Sequence, residues 1–139
     1  MDYQIHVAGA VIIRDRKVLS GSSRGRPHLI APGGKLEGGE TAEEAITREL
    51  KEEFDIDVLA RDLRPFGTFY EDAALGDFNK GKKVRMDTYL VSSWRGEPKE
   101  TNEIDKVVWI DSGASNSLEL GSILKNHILP KLKQEGLID

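Results

Sequence analysis

The sequence predicts an α+β fold in which a mixed sheet is flanked by helices. Strand-length apolar segments outnumber helical ones, and the two segments with helical periodicity, residues 41–54 and 118–132, lie far apart in the chain. The 139 residues contain no repeat, low-complexity stretch or linker. We therefore expect one domain that covers residues 1–139.

The N-terminal part of the chain predicts a hairpin followed by a sharp turn. Residues 5–13 are rich in Val, Ile and Ala and indicate a buried strand. A tight turn at 15–17 leads into a second strand that begins at Val18. The polar residues 20–27, which include two glycines and two arginines, predict a loop. The Pro-Gly-Gly run at 32–34 then requires the chain to turn sharply.

The second half of the chain predicts further strands and a closing helix. Extended apolar segments alternate there with short stretches that contain Gly or Pro, and helical periodicity returns only near the C-terminus. The predicted segments are extended residues 56–70, broken at 65–67; a loop at 73–83; a strand at 84–94 closed by a turn at 95–98; a strand at 104–110; and a helix at 118–132 that stops near Gly136.

The composition argues against several classes of function. The net charge of −4 provides no bulk positive field, so we expect no nucleic acid as a partner. The absence of cysteine excludes disulfides, thiolate zinc sites and cysteine nucleophiles. No apolar run reaches the ~20 residues of a membrane span, and the N-terminus lacks the pattern of a signal peptide. By default we expect a cytoplasmic protein with no membrane partner.

The predicted helix at 41–54 carries acidic residues on the face that should be buried. Thr41 and Glu44 form a capping-box pattern at its start. At about 100° per residue, Glu49 and Glu53 fall within the arc that also holds the apolar side chains. Those apolar side chains are Ala42, Ala45, Ile46, Leu50 and Phe54. Unpaired carboxylates on a buried face are costly, so a divalent cation such as Mg²⁺ or Mn²⁺ is the natural partner for them.

Two interpretations of this helix stay open on physical grounds. A surface helix rich in Glu and Lys would have a narrower apolar arc and would need no metal. The upstream pair Gly33 and Gly34 favours a metal site, because glycine lets the backbone approach a ligand closely and its carbonyl can serve as a further ligand.

The spacing of residues around this helix resembles the Nudix box. Gly34 is followed after five residues by Glu40 and after seven more by the run Arg-Glu-Leu-Lys-Glu-Glu at 48–53, and Ile56 closes the pattern. The box reads Gly-x5-Glu-x7-Arg-Glu-U-x-Glu-Glu-x-Gly-U, where U is aliphatic, and every fixed position but one matches. The resemblance implies a Nudix-type α/β/α sandwich with a mixed central sheet over the whole chain.

Asp55 is the departure from the box, which has glycine at this position. The family's glycine follows the helix, where a left-handed backbone conformation is needed. Asp adopts that conformation more readily than most residues, at a cost of about 1 kcal/mol or less. We expect the departure to affect stability more than chemistry.

The resemblance implies a metal-dependent hydrolase that cuts a diphosphate linkage. Mg²⁺ is the expected cofactor, with Mn²⁺ as the alternative, and such a cation neutralises the diphosphate and activates a water. Arg48, paired with Glu40, is expected to orient the metal ligands. By the resemblance those ligands are Glu49, Glu52, Glu53 and the carbonyl oxygen of Gly34.

The general base has candidates in two places. Glu52 is the candidate within the box. Glu103 and Glu100 lie in the loop before the predicted strand at 104–110 and are the candidates from outside the box, unless they are ordinary solvated acids. Glu52, Arg48 and Glu103 are the expected catalytic residues.

Candidate phosphate-binding residues lie in the loop before the glycine pair. Arg24 and Arg26 can bind outer phosphates as bidentate donors. Exposed arginines that only aid solubility fit the same pattern, so both interpretations stay open.

Candidate base-binding residues are aromatic residues and asparagines. Phe69, Tyr70 and Phe78 can stack on a nucleobase, unless they belong to the core. Asn116 or Asn126 can read the edge of a base, with a helix N-cap as the alternative role for Asn116.

The expected substrate is a nucleoside triphosphate that is cut to a monophosphate and pyrophosphate, because residues 94–98 resemble MutT-like members of the family. A nucleotide-sugar or another nucleoside diphosphate derivative is the alternative substrate. A non-catalytic Nudix nucleotide-binding domain is the alternative function. In each case the partner is a small nucleotide, and we expect a monomer or a homodimer.

Overall fold

The computed structural model describes residues 2–72 and 81–139. Its elements alternate strands with two helical regions, in the α+β arrangement that the sequence predicts. The strands and regular helices are β1 (Ile5–Val11), β2 (Ile13–Arg14), β3 (Lys17–Ser23), β4 (Gly33–Lys35), α1 (Ala42–Phe54), β5 (Leu63–Asp72), β6 (Lys83–Val91), β7 (Ile104–Ile110) and α2 (Leu129–Gln134). Short 3₁₀ turns occupy Ala60–Asp62 and Ser112–Asn116.

The central sheet is mixed. Its strand order is β4-β1-β6-β5, with β1 and β6 parallel and the two outer pairs antiparallel. The predicted break at 65–67 is a register shift between Pro65 and Gly67, and β5 continues through it. A bulge therefore replaces the predicted interruption.

Helices cover both faces of this sheet. Successive side chains of a strand point to opposite faces, and Ala8 and Ala10 of β1 pack in one core with α1, whereas Val11 packs in a second core with α2. The α/β/α arrangement implied by the resemblance is thereby confirmed. None of the helices within residues 2–72 and 81–139 combines the length and the apolar character of a membrane-spanning segment.

A second, antiparallel sheet of order β2-β3-β7 was not predicted. It corrects the prediction of a loop at 20–27, because β3 extends through Ser23. Ser20 and Ser22 look solvent-exposed by residue type, but their hydroxyls donate to the Val108 carbonyl and the Asp105 carboxylate, each at 2.7 Å. Side-chain hydrogen bonds thus allow a polar segment to be a buried strand.

The C-terminal helical region begins later than predicted. Helical residues run from 122 to 134, with π-helical geometry at Leu124–Ile128 before α2. Residues 119–121 instead bond to the backbone of Leu29, which donates to the Glu119 carbonyl and accepts from Gly121, at 2.9 and 2.8 Å. A tertiary contact overrides the helical pattern there. The predicted stop is confirmed, since Gly136 has a φ of 73°.

Candidate metal centre and adjoining cavity

Helix α1 begins and ends as the sequence predicts. Thr41 accepts from the Glu44 amide, and the Glu44 carboxylate accepts from the Thr41 amide, which completes the capping box. Asp55 follows the helix with φ 57° and ψ 41°, the left-handed conformation expected at this position. Its carboxylate lies 3.0 Å from Lys51 and 3.2 Å from Lys99. The contact with Lys99 thus links the end of α1 to the segment that precedes β7.

Three carboxylates converge beside the glycine turn. Ligand atoms of Glu49, Glu53 and Glu103 all lie within 4.8 Å of one another. Two of these residues come from α1, and Glu103 comes from the loop before β7. We call these three residues the acidic cluster. Of the two loop acids named from the sequence, the structure brings Glu103 to α1 and leaves Glu100 outside the group.

Glu53 is the buried member of the acidic cluster. Only 6% of its surface is exposed, and its Oε1 accepts from the Gly33 amide at 2.9 Å. The pKa of Glu53 is raised to about 8, mainly because burial removes hydration from its carboxylate. The Gly33 hydrogen bond opposes this rise, and the neighbouring carboxylates of Glu49 and Glu103 add to it. Burial likewise raises the pKa of Glu49. Without a cation, this site therefore holds negative charge poorly.

The glycine pair lets the chain run beside these acids. Gly33 has a φ of 142°, and a Cβ there would lie 2.0 Å from the Ala8 carbonyl oxygen. A Cβ on Gly34 would lie 2.6 Å from the Glu49 Cδ and 2.7 Å from its Oε1. Only glycine leaves room for both the backbone and the Glu49 carboxylate at this point.

Arg48 ties the acids to the strand that precedes the helix. Its guanidinium donates to Glu40 at 2.7 and 2.9 Å, to Glu49 at 2.7 Å and to the Lys35 carbonyl at 3.1 Å. The hydrogen bond from Arg48 lowers the pKa of Glu40 to about 2. In turn, the hydrogen bonds to Glu40 and Glu49 raise the pKa of Arg48. The pairing of Arg48 with Glu40, named from the resemblance, is present in the structure.

Glu52 lies at the edge of this network. Its side chain is 46% exposed, and one carboxylate oxygen lies 3.4 Å from Arg48 Nη1. Its carboxylate is not part of the acidic cluster. Of the three box glutamates at 49–53, the structure thus brings two together with Glu103 and leaves one facing solvent.

The two candidate phosphate-binding arginines differ in their surroundings. The Arg24 guanidinium donates to the carbonyls of Asn102 and Thr101 at 2.9 and 2.6 Å. Arg26 is exposed, and within residues 2–72 and 81–139 its side chain has no hydrogen-bonding or ionic partner. Phosphate binding by either arginine stays a prediction.

The candidate base-binding residues are scattered. Asn116 is an exposed residue at the end of a 3₁₀ turn whose N-cap is Asp111, so its predicted N-cap role for the last helix is wrong. Phe78 lies outside the described residues. Phe69 packs with the second core and stacks on His127 with ring centroids 5.2 Å apart, which supports the core interpretation.

A cavity of about 270 Å³ opens between the central sheet and the C-terminal helical region. Its walls are mainly apolar and include Ile5, Val7, Met86 and Ile123, while Lys35 and Glu71 bring charge to it. Sequence reasoning did not identify this cavity, because its lining comes from segments far apart in the chain. Alternating apolar residues in β1 and β6 signalled burial there but not an open space.

Polar groups gather at one edge of the cavity. The Glu71 carboxylate lies 2.9 Å from His127 Nε2 and 3.3 Å from Asn126 Nδ2. Asn126, one of the predicted base readers, donates to this carboxylate, but neither Asn126 nor Asn116 lines the cavity.

The donor set of the acidic cluster suits a hard divalent cation. All three side chains offer carboxylate oxygens, which Mg²⁺ and Mn²⁺ prefer. Because residue 34 is glycine, the Glu49 carboxylate occupies the space that a Cβ at this position would need. The cavity meets this centre along β4, which contributes Lys35 to the cavity wall and the Gly33 amide to Glu53.

Comparison with known proteins agrees with the box. The family model of the NUDIX domain matches residues 4–131. The Nudix hydrolase YvcI of Bacillus subtilis (strain 168) is 30% identical to this chain. The alignment covers 99% of this chain and 85% of that protein. An 8-oxo-dGTP diphosphatase of Proteus vulgaris is 39% identical over 66 residues, which are 48% of this chain and 52% of that protein.

Solved structures agree on the fold. The MutT NUDIX hydrolase from Burkholderia pseudomallei superposes with a TM-score of 0.69 and 24% identity, over 94% of this chain and 96% of that one. At this identity the likeness shows the shared architecture, including the mixed sheet between helices.

Proposed function

This chain belongs to the Nudix hydrolase family, and we propose that it hydrolyses a nucleoside triphosphate to a monophosphate and pyrophosphate. The observation that carries this proposal is the acidic cluster, in which Glu49, Glu53 and Glu103 converge within 4.8 Å beside the glycine turn. The sequence similarity to an 8-oxo-dGTP diphosphatase over about half of the chain supports a triphosphate as the substrate. The match over residues 4–131 supports a single domain over residues 1–139.

We assign Glu49, Glu53 and Glu103, with the Gly34 carbonyl, to binding Mg²⁺ or Mn²⁺. A divalent cation held there supplies positive charge for the diphosphate and lowers the pKa of a water. Arg48 keeps Glu49 in place through the hydrogen bond at 2.7 Å and is itself held by Glu40. Its proposed role is orientation of a ligand, as the resemblance implies.

We assign the role of general base to Glu52. Its carboxylate lies outside the acidic cluster and faces solvent, so it can accept a proton from an incoming water. The water oxygen forms a new bond to the α- or β-phosphorus, and the P–O bond that joins this phosphorus to the oxygen bridging the two breaks. The leaving group keeps the electron pair; it is pyrophosphate after attack at the α-phosphorus and the nucleoside monophosphate after attack at the β-phosphorus. The water proton passes to the Glu52 carboxylate.

We assign the nucleoside to the cavity beside β4. Its volume of about 270 Å³ and its mainly apolar walls suit a flat ring system, and Glu71 offers a carboxylate in its wall. β4 borders both the cavity and the acidic cluster, so a nucleotide bound there can extend its phosphates towards the acids.

Purified protein incubated with Mg²⁺ and a panel of compounds tests this function. The panel contains canonical and 8-oxo deoxynucleoside triphosphates, a nucleotide-sugar and another nucleoside diphosphate derivative, and the readout separates pyrophosphate from phosphate. We expect pyrophosphate from a triphosphate, loss of turnover with EDTA, and recovery on adding Mg²⁺. Preferential cleavage of a diphosphate derivative would overturn the triphosphate assignment. Nucleotide binding without turnover would identify a non-catalytic binding domain.

A further inference from the structure

We propose that Arg24 and Thr101 are positioning residues that hold Glu103 in the acidic cluster. This inference rests on the metal site proposed above. Glu103 is exposed and lies in a loop without regular structure, between residue 99 and the start of β7. A carboxylate on such a loop keeps a fixed place only if the backbone that carries it is tied down.

Arg24 ties this loop to the end of β3. Its Nε and Nη2 donate to the carbonyls of Asn102 and Thr101 at 2.9 and 2.6 Å, and its amide donates to the Glu103 carbonyl at 2.9 Å. One residue thus contacts the carbonyls of three consecutive loop residues. Hydrogen bonds from a charged guanidinium are stronger than those between neutral groups, and its planar shape fixes their direction.

Thr101 ties the same loop to the metal-binding helix. Its hydroxyl donates to the Glu53 carbonyl at 2.7 Å and accepts from the amides of Glu103 and Ile104, both at 3.3 Å. The Glu53 carbonyl is available because the last carbonyls of a helix have no partner within it. The loop is therefore fastened to the residue whose side chain is the buried member of the cluster.

The position of Arg24 is itself supported by the neighbouring backbone. The pairing of β3 with β7 shifts register between Ser22 and Ser23, immediately before Arg24. Asp105 accepts from the Ser22 hydroxyl at 2.7 Å and from the Gly25 amide at 3.4 Å. These bonds on either side of Arg24 hold its backbone beside the loop.

Electrostatics explain why such fastening matters. One carboxylate oxygen of Glu103 lies within 4.8 Å of carboxylate oxygens of Glu49 and Glu53, and like charges at such a distance repel one another. Before a cation binds, the loop must therefore be held against this repulsion. A loop released from Arg24 and Thr101 would move its carboxylate away, and the cation would lose a ligand.

Cation binding to substrate-free protein tests this inference directly. Isothermal titration with Mn²⁺ compares the parent with Arg24→Ala, Thr101→Val and Thr101→Ser, and thermal unfolding confirms that each variant folds. We expect Arg24→Ala and Thr101→Val each to weaken Mn²⁺ binding by about tenfold, the lower end of the effect seen when support of metal ligands is lost. Thr101→Ser, which keeps the hydroxyl, should restore most of the affinity.

Arg61→Ala serves as the matched control. Arg61 is exposed in the 3₁₀ turn Ala60–Asp62, outside the contacts of the acidic cluster. The variant removes the same charge as Arg24→Ala and should leave Mn²⁺ binding unchanged. An equal loss of affinity in Arg61→Ala would mean that net charge, not loop position, sets the binding, and it would overturn the inference.

A double-mutant cycle separates positioning from general stabilisation. The double variant Glu103→Gln with Arg24→Ala should bind Mn²⁺ only slightly more weakly than the single variant Glu103→Gln. Both substitutions act through the same carboxylate, so their effects should not add. Fully additive losses would overturn the inference. So would unchanged Mn²⁺ affinity with a raised KM, which is the result expected if Arg24 acts by binding substrate phosphate.

These outcomes are distinguishable from failure of the proposed function. The Mn²⁺ titrations need no substrate, so they remain decisive even if no compound in the panel is hydrolysed. Conversely, turnover of a triphosphate with unchanged Mn²⁺ binding in Arg24→Ala and Thr101→Val would support the function and reject the positioning roles.

Discussion

The acidic cluster and the cavity lie on either side of β4 and are built in opposite ways. In the cluster, short hydrogen bonds hold charged groups at defined places, such as Gly33 to Glu53 at 2.9 Å and Arg48 to Glu49 at 2.7 Å. The cavity has mainly apolar walls and a few polar groups at its edge. The acidic cluster depends on the orientation of its hydrogen bonds, whereas the cavity depends on the shape of its walls. Substitutions in the acidic cluster should therefore change turnover, and substitutions in the cavity wall should change substrate affinity.

The largest expected effect lies in the acidic cluster, at Glu53. Glu53→Gln keeps the shape of the side chain and removes its charge, so we expect turnover to fall by at least about 10²-fold. Steady-state kinetics at saturating Mg²⁺ measures this. Glu100→Gln is the control, because Glu100 lies outside the cluster and should retain nearly full activity. Full activity of Glu53→Gln would remove Glu53 from the metal site.

Gly34→Ala tests whether close approach at the glycine turn matters for catalysis. The added Cβ would lie 2.6 Å from the Glu49 Cδ, so the carboxylate must move. Since misplacement by about 1 Å can cost 10²-fold, we expect turnover to fall between roughly tenfold and 10²-fold. In Gly38→Ala the new Cβ meets no heavy atom within 4 Å, and that variant should behave like the parent. Equal activity of the two variants would contradict the proposed geometry.

Ile123→Ala tests the cavity side of the comparison. Removing apolar surface from the cavity wall should raise KM by roughly tenfold, the effect of about one to two lost methylene contacts, with kcat nearly unchanged. Leu59→Ala is the control, since Leu59 is 51% exposed and does not line this cavity. A fall in kcat without a change in KM would contradict the division between the two regions.

The smallest expected effect concerns stability of the metal-free protein. Folding raises the pKa of Glu53 from 4.5 to about 8, so the folded chain keeps a proton that the unfolded chain releases. This contribution to stability is fully present below pH 4.5 and is lost as pH rises through about 8. With EDTA, we expect Tm to fall over that range by more in the parent than in Glu53→Gln.

Adding Mg²⁺ should reverse this loss of stability at the alkaline end. A cation that binds the folded chain offsets the cost of the buried charge. Thermal unfolding at about pH 6 and about pH 9, with and without Mg²⁺, measures both effects. An identical pH dependence in the parent and Glu53→Gln would contradict the role of Glu53 burial.

Helix α1 shows how much of the site follows from local sequence. Its capping box, its apolar face and the left-handed Asp55 are all set by residues within a few turns of one another. Helical spacing also determines that Glu49 and Glu53 share a face, so the acidic side of the helix could be predicted without knowing the fold.

Strand β3 shows where local pattern misleads. Residues 20–23 look like part of a polar loop, but Ser20 and Ser22 bond to β7, more than eighty residues later. The helical pattern likewise includes residues 119–121, but backbone bonds to Leu29 keep them extended. In both places, partners that are distant in sequence decide the conformation, and periodicity within a short window cannot reveal them.

The sequence by itself determined the acidic helix α1, the Nudix family and the alternation of strands, because these depend on residue type and on fixed spacing along the chain. Only the tertiary structure decided that Glu103 rather than Glu100 joins the helix acids, that Glu52 faces solvent, and that Arg24 and Thr101 hold the loop. It also decided where the cavity opens. These features arise where separate segments meet, and their geometry depends on how the two sheets and the helices pack together.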